Sequence, residues 1–591
     1  MRHMVLRLAG MLLLALGVLA YGQDPAQLSI MEIQGVEQFS LFSGQVVETS
    51  GVVTAVGSRG RQFWMQDPNG DGNDATSDGM LVSDRDFLTD ETRPSVGDSI
   101  RIVGAIEEQQ FGQALPLTRM VDVVALEVLS KGNTLPEPVA LIDLPDTSFA
   151  QAIAFWESLE GMLVSVENGT VVAPTSRFGE YGLITEKDAR AGSGYFPRTR
   201  HLILNNLGNN VVDYNPERIL TDDTIGRNPS LRPGDRVRSL TGVVDYTFGA
   251  WKLQVIDSDI DSADLPAAPV ARRLGNLGNV TVTTFNIENL FDAEDNPNKD
   301  DDRSNLSPEA LDTKLAKLAN AIQVELNLPH ILIVEEAENE AVLDRLAARV
   351  NDAAGTNYVA TSFETSDGRG IEVGFLYDAD RVTAFGISRF SDSDPNVAAA
   401  FGPSSPSPGR EPLMGTFGIN GKTLTIIGNH FKSKRGDNPP YGIESLDDQP
   451  FSRVSEVQRK AQARVVRDAA NRVLEADPQA LLMVTGDLND FAFGEPGEGT
   501  DHPVAILEGS GDEVPLVNLV NFVEAGDRYS FIFDGNSQVL DHMLLSPALL
   551  DLYVGVDFLH FNASFPASLS SDLSTTLRSS DHDPLEGRFQ F

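Results

Sequence analysis

In the stretch LLMVTGDLND, residues 481–490, an apolar run ends in glycine and is followed by an acid and an amide two residues apart, Asp487 and Asn489. Side chains two apart on an extended segment face the same way. The pair is therefore predicted to stand together just past the end of a buried strand, where layered α/β folds place their chemistry. The layout recurs through the second half of the chain. VTVTTFN delivers Asn286, ILIVEE delivers Glu335 and Glu336, and TLTIIGNH delivers Asn429 and His430. QVLDHMLLS embeds Asp541 and His542, and SSDHDPL carries Asp581, His582 and Asp583. Carboxylates, amides and imidazoles are the side chains that ligate hard cations, hold anions and move protons. Six apolar runs that each deliver them predict several strands feeding one polar edge.

The elements between these runs are helical. SPEALDTKLAKLANAIQVEL offers Ser307 as N-cap and Pro308 at the first helical position, with Leu311, Leu315, Leu318, Ile322 and Leu326 on one face. Val454, Val457, Ala461, Val465, Ala469 and Val473 predict a second amphipathic helix, and residues 391–412, rich in serine and proline, a loop. Strands separated by such helices imply an α/β sandwich with helices outside stacked sheets.

The ordered set FN, EE with EN behind it, GRGIEVGFLY, NHFKSK, GDLND, LDHMLLS and SDHDP resembles the endonuclease/exonuclease/phosphatase superfamily, the metal-dependent fold of deoxyribonuclease I. The resemblance covers residues 280–591 and implies a four-layer α/β sandwich. It implies Glu336 as ligand of Mg²⁺ or Mn²⁺, with Asn286 and Asp581 at the metal end. Asp487 and Asn489 would orient and deprotonate the attacking water. His582 would bind the phosphate with Asp541 as its carboxylate partner, and His430 would give a proton to the leaving group. Glu335 stands where the family commonly has glutamine, and His330 where it has aspartate. Arg369, Lys432, Lys434 and Arg435 are local cations for substrate phosphates, or equally salt-bridge partners of the abundant acids. FNIENLFD with NHFKSK resembles the secreted bacterial nuclease branch, implying nucleic acid, DNA and also RNA, as substrate. A phosphatase or phospholipid phosphodiesterase of the same fold, and an inactive extracellular polymer-binding protein, are the alternatives.

The first half is β in character. Short valine- and isoleucine-rich runs (GQVVETSGVVTAVG, RQFWMQD, GMLVSD, GDSIRIVGAIEE, DVVALEVL) predict a small all-β domain over residues 28–145 that resembles oligonucleotide/oligosaccharide-binding (OB) barrels. GMLVSVENGTVV and GDRVRSLTGVVDYTFGAWKLQVID repeat the grammar over residues 146–264, by true repetition or by convergent strand composition, and residues 265–279 form a linker into the catalytic region at 280–591. Asp67, Asn69, Asp71 and Asp78 follow calcium-loop spacing with aspartate in place of the last glutamate, so a Ca²⁺-stapled hairpin stands beside a plain solvated turn. DAEDNPNKDDD, residues 292–302, is predicted to be a solvated loop.

Residues 1–22 have the n-region, apolar core and small-residue cleavage site of a secretory signal, predicting an exported chain, secreted or periplasmic, with no stable membrane association after cleavage. Cysteine is absent, which excludes disulfides, thiol chemistry and a cysteine-linked lipid anchor. A formal net charge of −41 excludes bulk attraction to nucleic acid or anionic membrane, so a phosphodiester substrate must be held locally.

Overall fold

The computed structural model describes residues 25–591 apart from 59, 111–113, 146–148, 188–194, 197–199, 202–203, 207–210, 214, 262–273, 276, 301–303, 435–453 and 495–498. The predicted signal, most of the predicted linker and Arg435 lie outside the described residues.

The five predicted runs of the first unit form Val46–Val56, Gln62–Gln66, Gly79–Ser83, Ser99–Gln109 and Leu117–Ser130. The first strand pairs with both the second and the fourth, and the third runs parallel to the fifth, so the five close into a ring. The second unit repeats that order with Leu163–Ala173, Gly182–Ile184, Ile219–Asp222, Arg236–Thr247 and Ala250–Asp261, again closed between first and fourth strands and parallel between third and fifth. The shared grammar noted in the sequence therefore corresponds to a shared strand order. Val139–Ala140 pairs with Leu163–Ala173, so this segment, assigned above to the first unit, lies with the second. One apolar cluster runs through both rings: Ala55, Trp64, Leu81, Leu115 and Leu117 of the first pack with Leu163, Val243 and Trp251 of the second.

Two six-stranded sheets make the second half. In one, Tyr358–Ser362, Glu372–Asp378, Ile331–Ala337, Val280–Leu290, Leu585–Phe589 and Tyr553–Phe558 follow one another. In the other the order is Thr383–Arg389, Leu413–Ile419, Lys422–His430, Leu481–Asp487, Asp541–Leu545 and Val517–Asn518. Each sheet has a parallel pair at its centre, 280–290 with 331–337 and 422–430 with 481–487. Three cores separate the layers. Helices Pro308–Val324 and Glu340–Ala354 pack on the first sheet, the sheets pack on each other through Phe375, Phe417 and Met543, and helix Val454–Ala476 covers the second.

The first helix starts as expected: Ser307 Oγ accepts from Ala310 N at 3.2 Å, and all five predicted apolar residues are buried. The face predicted for the helix at 454–476 holds in part: Val465 and Ala469 are buried and Ala461 and Val473 pack against the core, but Val457 is exposed, and Ala463, Val466, Ala470 and Leu474 enter the core with Gln458, Arg459 and Gln462 buried beside them. The sequence pattern misled because these polar side chains are buried to hold loops by hydrogen bonds. Within the predicted loop 391–412, Pro395–Ala400 is helical, capped by Asp394 accepting from Asn396 N at 2.9 Å. Among the described residues no helix is long and apolar enough to cross a membrane.

Candidate active site

Register alone aligns the chemistry. In the second sheet His430 is paired with Asp487 and Asp487 with Asp541, so three neighbouring strands put these residues in one row. In the first sheet Asn286 is paired with Glu335. A cross-sheet hydrogen bond, Asn286 Nδ2 to Asp487 Oδ2 at 3.1 Å, joins the rows. Within the second sheet, Gly486 permits the close approach of the neighbouring strand: its φ is +131°, and a Cβ there would lie 2.0 Å from Asn429 O.

His582 enters from the segment before Leu585–Phe589, and its Nδ1 is 2.8 Å from Asp541 Oδ2. Phe531 stacks on the imidazole at 4.7 Å between ring centres. Burial alone would lower this imidazole's pKa, but the bonded Asp541 carboxylate, with Asp487 and Asp581, raises it well above the usual histidine value. Burial and Asp541 push Asp487 up to about 7. Asp487 Oδ1 accepts from Asn489 N at 2.8 Å, which turns the GDLND loop back on the strand and leaves Asn489 at φ 50°. The Asn489 side-chain amide donates to Phe431 O at 3.2 Å.

Of the paired glutamates, Glu335 is the one beneath the site. It accepts from Thr284 Oγ1 at 2.6 Å, and burial, then Asp541, raise its carboxyl far above the usual range. Glu336 lies at a register shift with φ 69°, which swings its side chain to the rim. Its Oε2 accepts from Asn289 N at 2.9 Å, and its Oε1 is 3.9 Å from His430 Nε2. His430 Nε2 is also 3.5 Å from Asp487 Oδ2, while Nδ1 is buried without a hydrogen-bond partner. Burial, then Arg410, Arg369 and His582, hold His430 well below the ordinary histidine pKa, so at neutral pH it is an uncharged imidazole.

Asp581 is half-buried beside Ser580, and its charge acts on Glu288, Lys314 and His582. Lys434 bonds Asn489 O, and its Nζ lies 4.4 Å from the centre of the Phe491 ring. Lys432 is anchored by its backbone N to Gln462 Oε1 at 2.9 Å, and exposed Arg369 lies 3.9 Å from Asp367. Asp67, Asn69, Asp71 and Asp78 are far off, in the turn between the second and third strands of the first ring. There Asp67 and Asp71 accept from Asn69 N and Asn73 N, Thr76 Oγ1 donates to Asp71, and burial, then the charges of Asp71 and Asp67, raise the carboxyl pKa of Asp78.

One compact group could hold a cation. Among the described residues, one group of three or more acids and histidines brings ligand atoms within 4.8 Å of one another: Asp487, Asp541 and His582. Asp541 Oδ1 is buried without a hydrogen-bond partner, which suits a hard divalent cation. These residues were expected in acid–base and phosphate roles, while the expected metal residues Glu336, Asn286 and Asp581 border the group.

Several participants were missed. Glu288 lies two residues beyond Asn286 at the same strand end, and burial and Asp581 raise its carboxyl pKa. Half-buried Lys314 bonds Glu288 O. His560 Nδ1 is 2.8 Å from Asp583 Oδ2, a second pair beside the first, with Tyr529 stacked on the ring at 4.0 Å. LHFNASF does place a histidine after an apolar run, so this signal was available. Buried Arg459 donates through Nε to Asp490 Oδ2 at 2.8 Å and through Nη1 to Lys432 O at 3.2 Å, tying the GDLND and NHFKSK loops to one helix.

Two stacked sheets whose strand ends converge on buried acids, an amide and a carboxylate-bound histidine define a phosphoesterase-type centre. In agreement, residues 281–564 match the Endonuclease/Exonuclease/phosphatase family, so this part of the chain is a domain of that family and implies a metal-dependent phosphoesterase hydrolase. Residues 131–263 match a domain of unknown function, DUF8508. No curated protein matches the chain. Similar solved structures include humanized D. rerio TDP2 (14% identity, 53% of this chain and 99% of that one, TM-score 0.34). The human Nocturnin catalytic domain with bound sulfate anion is similar at 15% identity over 53% of this chain and 94% of that one, TM-score 0.34. The Bacteroides thetaiotaomicron mannosyl-6-phosphatase Bt3783 is similar at 16% identity over 53% of this chain and 100% of that one, TM-score 0.33.

Proposed function

We propose that this chain is an exported, Mg²⁺- or Mn²⁺-dependent phosphodiesterase that hydrolyses nucleic acid, DNA and also RNA, with a deoxyribonuclease I-like catalytic domain behind two OB-like barrels. The observation that carries the reading is the Asp541–His582 pair at 2.8 Å, set within 4.8 Å of Asp487 at the joined edges of two sheets. With Nδ1 held by Asp541, His582 keeps its proton and turns Nε2–H toward a phosphoryl oxygen, placing positive charge where negative charge grows. Asp487, fixed by Asn286 and by Asn489 N, orients the attacking water and takes its proton. Glu336, Asp541 and Asp487 are the carboxylates available to hold the cation, which when bound supplies Lewis acidity and neutralises phosphoryl charge. His430, neutral and 3.5 Å from Asp487 Oδ2, is placed to pass a proton between water, carboxylate and leaving group. The two closed five-stranded rings support the OB reading of the first half.

Supercoiled plasmid and a fluorescent sphingomyelin analogue, each with Mg²⁺, with EDTA and with Asp487→Ala, test this. Nicking that requires the cation and disappears in the variant is expected. Turnover of the lipid alone would assign the site to phospholipid, and retention of DNA without turnover of either would make the chain a binder.

A further inference from the structure

Between Ser530 and Asp541 the chain leaves the catalytic sheets and returns. Among the described strands, Phe531–Phe533 and Asn536–Gln538 pair only with each other, as a two-stranded sheet of their own. Asp534 and Gly535 turn this hairpin with φ 46° and 85°, the two left-handed positions of a tight type I′ turn. Two strands alone are marginal in water. What holds this pair in place lies at its two ends.

The tip is held by the second barrel. Arg218 Nε donates to Asp534 O at 2.7 Å, and Asn215 Nδ2 donates to Asn536 Oδ1 at 2.7 Å. Both barrel residues are buried, and Arg218 Nη1 donates to Asn215 O at 3.1 Å, so the two form one clamp. The turn also nests on a barrel strand: a Cβ on Gly182 would lie 3.1 Å from Gly535 Cα. Asn536, Ser537 and Gln538 are polar and yet buried, as suits a strand covered by a neighbouring domain.

The base is fastened to the catalytic pair. Ser530 Oγ accepts from Leu540 N at 3.0 Å and from Asp541 N at 3.3 Å, and Asp583 N donates to Ser530 O at 2.8 Å. The next side chain, Phe531, lies on the His582 imidazole with ring centres 4.7 Å and planes 28° apart. Asp541 fixes one ring nitrogen of His582, and the stacked ring fixes the plane in which the other points. The backbone that carries Asp541 and the face against which His582 rests are thus both set by the hairpin.

We propose that Asn215 and Arg218 of the second barrel are positioning residues for hydrolysis: by clamping the hairpin tip they hold Phe531 against His582, so that a domain outside the catalytic fold completes the catalytic pair. The proposal rests on the phosphodiesterase reading and on no particular substrate. Because Asn215 and Arg218 act through the hairpin, they govern the turnover of bound substrate and not its affinity.

The full chain with Mg²⁺ is assayed on bis(p-nitrophenyl) phosphate as wild type, Arg218→Ala, Asn536→Ala, Phe531→Ala and Arg218→Ala/Phe531→Ala. In Arg218→Ala and Phe531→Ala, kcat is expected to fall about tenfold to a hundredfold with KM unchanged, the cost of a small misplacement of a reacting group, and to fall less in Asn536→Ala. The double variant should be no slower than Phe531→Ala, because the clamp acts through that ring. Tryptophan fluorescence reports whether the barrels are folded, since Trp156 and Trp251 lie in their shared core. Where Arg218→Ala loses the wild-type spectrum, Asn536→Ala, which cuts the clamp from the catalytic side, carries the test alone and with Phe531→Ala. A wild-type kcat in the folded clamp variants, a raised KM with kcat unchanged, or losses that multiply in the double variant overturns the proposal and leaves the phosphodiesterase reading intact. Wild type that leaves bis(p-nitrophenyl) phosphate intact sinks that reading itself.

Discussion

The two barrels share a strand order and spend the same rim differently. In the first, Ser58 N in the loop after the first strand donates to Thr224 O at 2.9 Å, and Leu115 N in the loop before the fifth donates to Tyr246 OH at 3.1 Å. Gln66 Oε1 at the end of its second strand accepts from Leu163 N at 3.0 Å, and Trp64 and Leu81 enter the core shared with the second barrel. At these described residues, both loops and the strand end are joined to the second barrel. In the second barrel the corresponding loops hold Phe178 and Phe248 in solvent, and the strand face meets the catalytic hairpin. One topology therefore joins its rim to a second barrel in one copy and to the catalytic domain in the other, with the loop tips at Phe178 and Phe248 left in solvent, and what the rim touches, not the strand order, decides which.

The comparison breaks most sharply at the catalytic pair, which sets the scale for anything a barrel contributes. His582→Ala should lower kcat about 10³-fold, because it leaves Asp541 buried without its partner, and Asp541→Asn nearly as much, because a neutral amide no longer holds the charge on His582. Both are read on bis(p-nitrophenyl) phosphate with the cation present, beside the smaller loss expected from the barrel clamp. A loss on cutting the clamp as large as that in His582→Ala would mean that the barrel does more than hold the ring.

A second change acts on the joint. Trp64→Ala removes a fully buried side chain from the core common to both barrels and should cost about 3–5 kcal/mol. All three tryptophans, Trp64, Trp156 and Trp251, lie in that core, so intrinsic fluorescence follows the barrels and not the catalytic domain. The fluorescence transition of the variant should move to lower denaturant, while the rate on bis(p-nitrophenyl) phosphate, measured below that transition, stays at the wild-type value.

Legibility in the sequence followed how local each determinant is. Strands and helix starts were readable because period and capping are local: Ser307 caps as expected, and the five apolar runs of the first unit are its five strands. Asn286 and Asp487 stood out as candidates because each closes an apolar run, Asp541 because it is embedded in one and His582 because it precedes the last one; register then pairs Asp487 with Asp541. Which of Glu335 and Glu336 faces the rim was not readable, since it depends on a bulge that puts Glu336 at φ 69°. Arg459 was invisible for a related reason. A buried arginine in a helix resembles a solvated one until its partner Asp490, 31 positions away, is seen beside it. The contacts of Asn215 and Arg218 with the hairpin join segments more than 300 residues apart and leave no local pattern.

The smallest effect expected is on pH, and it distinguishes the joint between the barrels from the joint with the catalytic domain. Burial, then Glu108, push Glu157 at the end of helix Phe149–Glu157 up to about 8. Burial, then Glu157, raise its neighbour Glu160, which accepts from Gln34 Nε2 at 3.1 Å across the joint. A carboxyl whose folded pKa lies above its unfolded value holds its proton more tightly in the folded state. Its stabilisation is complete below about 4.5 and is lost as pH rises through about 8. The fluorescence transition should therefore weaken across that window, and Glu157→Gln, which keeps a neutral side chain at every pH, should flatten the dependence. A profile as steep in the variant as in wild type would place the titration elsewhere and remove the acidic joint as the feature that separates the two barrels.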